Sequence, residues 1–102
     1  MRIEVIDNGG LSTAQARAYA EYRLFATLAR HARVIRTVRV ILEQVERKGA
    51  ADGVTCAVEV VLEPSGCVRA RANGRQAHGA IDAAAERIET LINRRAPQAI
   101  QS

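Results

Sequence analysis

The sequence predicts an α+β domain in two layers, a four-stranded sheet with both helices on one face, in the order β-α-β-β-β-α. Three observations carry this. Four segments alternate apolar and polar residues with the two-residue period of a strand. Two others follow the helical period, the second with an apolar stripe along its whole length. Finally, the last three strands are joined by links short enough for antiparallel hairpins, while a helix separates the first two. That helix implies a parallel pair with a right-handed crossover.

Residues 2–6 read as a short strand, and Asp7-Asn8-Gly9-Gly10 has the chemistry of a turn. These glycines are not a phosphate loop, because neither a Walker lysine nor a Rossmann spacing follows them. A helix is expected from about Ser12 to Ala32, with Ser12 and Gln15 spaced as a capping box. In its second half Leu24, Phe25, Leu28 and Ala32 form the apolar side, opposite Arg23, Arg30 and Arg33. Tyr19 falls near Arg23, and Tyr22 nearer the apolar stripe.

Residues 34–46 read as a long strand with Val38, Val40 and Leu42 on one face. A polar loop spans 47–53. The next strand, 54–63, points Cys56, Val58, Val60 and Leu62 inward. Pro64-Ser65-Gly66 makes a tight turn. Residues 67–73 follow with Val68, Ala70 and Ala72 inward and Arg69 and Arg71 outward. The final helix is expected to be capped by Asn73, with Gln76 at N3. Its stripe is Ala77, Ala80, Ile81, Ala84, Ala85, Ile88, Leu91 and Ile92. One domain over 1–96 and a short flexible tail over 97–102 are expected.

With 102 residues the chain can bury one core, and its aromatic content of 3% leaves that core to Val, Ile, Leu and Ala. No apolar run approaches the roughly 18 residues of a membrane span, and the charged, alternating start does not resemble a signal peptide. A cytoplasmic location and no membrane partner are expected. The net charge is +4, and 14 of the 15 basic residues are arginine. Arginine forks two donors onto phosphate, so a polyanionic partner fits; a GC-rich genome gives the same Arg/Lys ratio without that meaning. Cys56 and Cys67 have no metal-ligand spacing with each other or with the histidines, and two buried thiols in strands are expected. No metal, cofactor or small-molecule substrate is expected, and no catalytic constellation is recognisable.

The segment Gly66-Cys67-Val68-Arg69-Ala70-Arg71-Ala72-Asn73-Gly74, continued by Arg75-Gln76-Ala77-His78-Gly79-Ala80-Ile81-Asp82, resembles the junction of last strand and last helix in the hibernation promoting factor and ribosome-associated inhibitor family, also called sigma 54 modulation proteins. Ala70, Ala72, Gly74, Ala80, Ile81 and Asp82 match its pattern, and the resemblance covers about residues 1–95. It implies a fold similar to a double-stranded RNA-binding domain with an extra first strand. It also implies a non-enzymatic translation inhibitor that binds the small ribosomal subunit and its ribosomal RNA in the mRNA/tRNA channel under stress. Arg23, Arg87 and Arg94 stand where basic residues are usual in that family. The chain departs from it in having fewer basic residues on its helices, Arg94-Arg95 in place of a lysine-rich end, and His78-Gly79 in place of an aromatic-Ala pair. It also shows neither the acidic tail nor the extra dimerisation domain of longer members, and is expected to be a monomer when free.

On this reading the RNA-binding residues are Arg23, Arg30, Arg33, Arg87, Arg94 and Arg95, with Tyr19 available to stack on a base. The plain alternative is a solvated face diluted by Glu21, Glu86 and Glu89, with Tyr19 a core-edge aromatic. A divergent member acting as a protein-binding regulatory module is the alternative function. Arg69 and Arg71, with Arg39, are read as keeping the open sheet face soluble. Asp82 is read as structural, and His31 and His78 as surface or satisfied groups.

Overall fold

Strand β1 spans Arg2–Asn8, helix α1 Ala14–Leu28, β2 Ile35–Val45, β3 Gly53–Leu62, β4 Cys67–Gly74 and α2 Ala77–Arg95 in a computed structural model of the chain, which describes residues 1–8, 14–45 and 53–95. A 3₁₀ helix over Ala29–Val34 joins α1 to β2. The strands lie in sequence order, β1 parallel to β2 and the other pairs antiparallel. The parallel first pair and the two antiparallel pairs are thus those the link lengths imply.

One face of the sheet is the core. Val38, Val40 and Leu42 of β2 and Cys56, Val58 and Val60 of β3 are buried, as their alternation requires. Leu24 and Leu28 from α1 and Ile81, Ile88 and Ile92 from α2 close over them, so both helices cover the same face. Among the described residues no buried side-chain polar atom lacks a partner. The Cys56 thiol is pushed up to about 12 by burial, so it packs as a small neutral apolar group.

Several expectations need correction. β1 runs on through Asp7 and Asn8, which pair with Leu42 and Glu43. Turn propensity yields here because the longer β2 offers a backbone ladder beyond Ile6. Phe25, Ala32 and Tyr22 are exposed. The buried stripe of α1 is Ala16, Ala20, Leu24, Thr27 and Leu28. Phe25 stands about 100° round the helix from Leu24, outside that narrow stripe. The tighter 3₁₀ turn then buries His31 rather than Ala32.

Asn73 does not cap α2. It lies in β4 opposite Thr55, whose hydroxyl donates to its Oδ1 at 3.0 Å. The first helical bond, Ala80 N–H to the Gln76 carbonyl at 3.1 Å, makes Gln76 the cap position. Cys67 is exposed rather than buried, because it shares the open face with Arg69 and Arg71. Ser12, Gly9, Gly10, most of the 47–53 loop and residues 97–102 lie outside the described residues.

Two turns depend on glycine. Gly66, at φ 120°, closes the β3–β4 turn, and its carbonyl accepts from Leu62 at 2.9 Å. Gly74 is the point where α2 sits on β4: a Cβ there would stand 2.6 Å from the Ala80 backbone nitrogen. Gly74→Ala is therefore expected to cost about 2–3 kcal/mol, since backbone rather than a flexible side chain must move. Gly79 has nothing within 4 Å of its Cβ position, so Gly79→Ala is expected to stabilise by roughly 0.5–1 kcal/mol through helix propensity. Urea denaturation of both variants checks the pair; equal shifts would contradict the close approach at Gly74.

Candidate nucleic-acid interface

The two helices run in the same direction. Tyr19 and Arg23 of α1 meet Asp82 near the start of α2, and His31, just past α1, meets Asn93 near the end of α2. Their C-terminal ends therefore lie together. The β3–β4 turn joins them there. The Glu63 N–H donates to the Val34 carbonyl at 2.8 Å, and Arg95 donates to the Cys67 carbonyl at 3.2 Å. β2 begins at the same end, with Arg36 in a bulge between Ile35 and Thr37.

This arrangement gathers Arg30, Arg33, Arg94 and Arg95, all exposed, at one pole of the domain. The partial negative charge at the C-terminus of α2 favours arginine there, a local reason for the sequence to place Arg94 and Arg95 in its last turn. Among the described residues no ion pair or hydrogen bond engages the side chains of Arg30, Arg33 or Arg94. Arg36 was not among the expected site residues; it sits at this pole paired with Glu63 at 3.2 Å. Its bulge is set by strand pairing, and nothing in the local sequence announces it.

The other expected residues are placed differently. Tyr19 donates to Asp82 Oδ1 at 2.5 Å, and Arg23 Nε donates to the same oxygen at 3.1 Å. Arg23 Nη1 also donates to Thr27 Oγ1. Arg23 is thus committed to the helix–helix contact. The bond to the Asp82 carboxylate, with some burial, holds the Tyr19 hydroxyl above its ordinary ionisation range. The His78 ring lies over Tyr19, with centroids 4.3 Å apart. Asp82 is therefore the hub that locks α1 to α2. His31 is buried, with Nε2 2.9 Å from Asn93 Oδ1.

Arg87 is exposed, and its Nη1 donates to the Arg71 carbonyl on the outer edge of β4. It flanks the helix away from the pole that holds Arg94. The open sheet face carries a row of alternating charge across all four strands, Glu4, Arg39, Glu59 and Arg69, in direct register. Arg69 Nε bonds Glu59 at 2.8 Å. Opposite charges side by side keep this face polar and nearly neutral. Among the described residues no group of three or more His, Cys, Asp or Glu is placed to hold a metal, and no helix is long and apolar enough to cross a membrane.

The chain matches the family model described as sigma 54 modulation protein / S30EA ribosomal protein over residues 7–98. Among solved structures it is similar to a ribosomal subunit interface protein from Coxiella burnetii, with a TM-score of 0.72 and 18% identity over 92% of this chain and 96% of that one. It is also similar to the Thermus thermophilus Protein Y N-terminal domain, with a TM-score of 0.69 and 28% identity over 92% of this chain and 98% of that one. The first likeness is one of fold alone. No curated protein matches the sequence.

Proposed function

The chain belongs to the sigma 54 modulation protein / S30EA ribosomal protein family, and from this we propose that it is a ribosome-associated inhibitor of translation. It binds ribosomal RNA of the small subunit in the channel used by messenger and transfer RNA, and it does so in the cytoplasm under stress. The observation that carries the reading is the arginine pole: Arg30, Arg33 and Arg94 are exposed with no protein partner among the described residues, beside Arg95.

A domain that occupies an RNA channel needs no catalytic group. It needs a rigid body and cations spaced to meet phosphates, because structured RNA is recognised chiefly through shape and backbone. The Tyr19–Asp82–Arg23 lock and the His31–Asn93 bond hold the two helix ends at a fixed separation, so the arginines beyond them keep their spacing. Tyr19 and Arg23 act here by holding the binding surface in shape. Arg87 contributes at its flank.

Co-sedimentation with purified small ribosomal subunits across a salt series tests this. Counterion release predicts a straight line on a log–log plot, with a slope of roughly −0.7 to −0.9 per phosphate engaged, so about −3 for four phosphates. A protein left wholly in the supernatant at low salt would remove the ribosomal role and favour a protein-binding module.

A further inference from the structure

The two edges of the sheet are treated differently. On β4 the Arg87 and Arg95 side chains bond the Arg71 and Cys67 carbonyls, which engages two backbone groups of that edge. β1 is the opposite edge, and among the described residues no side chain hydrogen-bonds the backbone of Arg2–Ile6. Beside it runs a shallow groove lined by Met1, Ile3, Ala18, Glu21, Tyr22 and Phe25. Met1, Tyr22 and Phe25 are also the exposed large hydrophobic residues of the described chain, with Tyr22 67% and Phe25 57% accessible. An open strand edge next to a concentrated apolar patch is a site for strand addition.

We propose that β1 pairs antiparallel with β1 of a second copy of this chain, about a two-fold axis at Ile3, to form a weak dimer with a continuous eight-stranded sheet. The sequence of the strand selects the occupant and the register. Arg2 and Glu4 lie on the open face, while Ile3 and Val5 face the helices. A two-fold axis perpendicular to the sheet keeps each face on its own side, so only residues two, four or six apart pair across it. Centring on Arg2 sets arginine against arginine, and centring on Glu4 sets glutamate against glutamate. Centring on Val5 or Ile6 puts Asp7 against an apolar partner, and centring on Asp7 sets aspartate against aspartate.

Centring on Ile3 alone sets Arg2 against the partner's Glu4 twice over, Ile3 against itself and Met1 against Val5. It also brings the two Tyr22–Phe25 patches together across the axis. The expected free monomer then holds only at low concentration, since so short a strand contact with a small apolar flank buries less than a standard interface.

Sedimentation velocity of the full chain over a concentration range is the test, independent of ribosome binding. The mass should rise from 11.1 kDa toward twice that at concentrations on the order of 100 µM. Arg2→Glu and Glu4→Arg should each raise the dissociation constant roughly tenfold or more, because each creates like-charge pairs, while the double swap should restore it. Tyr22→Ser with Phe25→Ser should also weaken the dimer; these residues are exposed, and far-UV circular dichroism confirms that the variants stay folded. A chain that remains at single-chain mass up to about 1 mM overturns the proposal. So does a dimer that ignores the single swaps or that the double swap fails to repair.

Discussion

Replacing Arg30, Arg33 and Arg94 with glutamine is expected to lower affinity for the small ribosomal subunit by about 10²–10³-fold while leaving the melting temperature within a few degrees of the wild type. Each arginine is exposed and without a protein partner among the described residues. Its removal takes away a charge-assisted bond to phosphate, worth about 1–1.5 kcal/mol in a partly solvated site. The folded state loses little, because exposed substitutions usually fall within about 0.5 kcal/mol, and only Arg94 gives up a favourable place at a helix end. Glutamine keeps the helix propensity and much of the length of the side chain. Arg95 is left intact because it also holds the Cys67 carbonyl.

The informative quantity is the salt slope, which should become shallower by about one unit for each phosphate no longer engaged. Co-sedimentation and thermal melting on the same preparation give both numbers. Unchanged binding would move the RNA surface away from this pole. A collapsed melting temperature would show that these arginines are structural. Arg23 makes the instructive contrast: paired to Asp82 and Thr27, it should cost stability when removed even where binding is not assayed.

The second large effect falls on the core. Ile81→Asp is expected to leave the domain unfolded at 25 °C. Ile81 has no accessible surface, and it sits between Ala80, pressed against Gly74, and Asp82, which holds α1. Deleting its side chain alone should cost about 2–5 kcal/mol. A carboxylate in its place is buried without a partner, or must take up a proton, at a cost of several kcal/mol more. A domain of this size has only about 5–15 kcal/mol of stability in total, so the sum removes most or all of it. Circular dichroism and urea titration measure the result. A soluble variant that melts cooperatively near the wild-type temperature would place Ile81 outside the core and undo the helix register.

This triplet shows how local pattern and tertiary structure divide the work. Ala80, Ile81 and Asp82 are legible as a motif, and the apolar stripe places Ile81 inward. Neither the motif nor the stripe says that Ala80 must be small because its backbone rides over Gly74, or that Asp82 reaches Tyr19 and Arg23 about sixty residues away in sequence. Both are consequences of two elements meeting in space. Arg23 and Arg30 look equivalent on a helical projection, yet one is tied to α2 and the other has no side-chain partner among the described residues.

What the sequence determined by itself is whatever rests on short-range period and connection length. That includes the strand faces of β2, β3 and β4, the stripe of α2, the parallel first pair and the hairpins, and so the α+β topology. These follow because side-chain alternation and loop reach are local properties of the chain. Only the tertiary structure decided which arginines are available, where α1 tightens into a 3₁₀ turn, which thiol is buried and which sheet edge has its carbonyls bonded by side chains. Each of these depends on how wide a stripe the neighbouring element covers, or on a partner distant in sequence. The parallel packing of the two helices brings their C-terminal ends together, and that packing gathers arginines scattered along the chain into one pole.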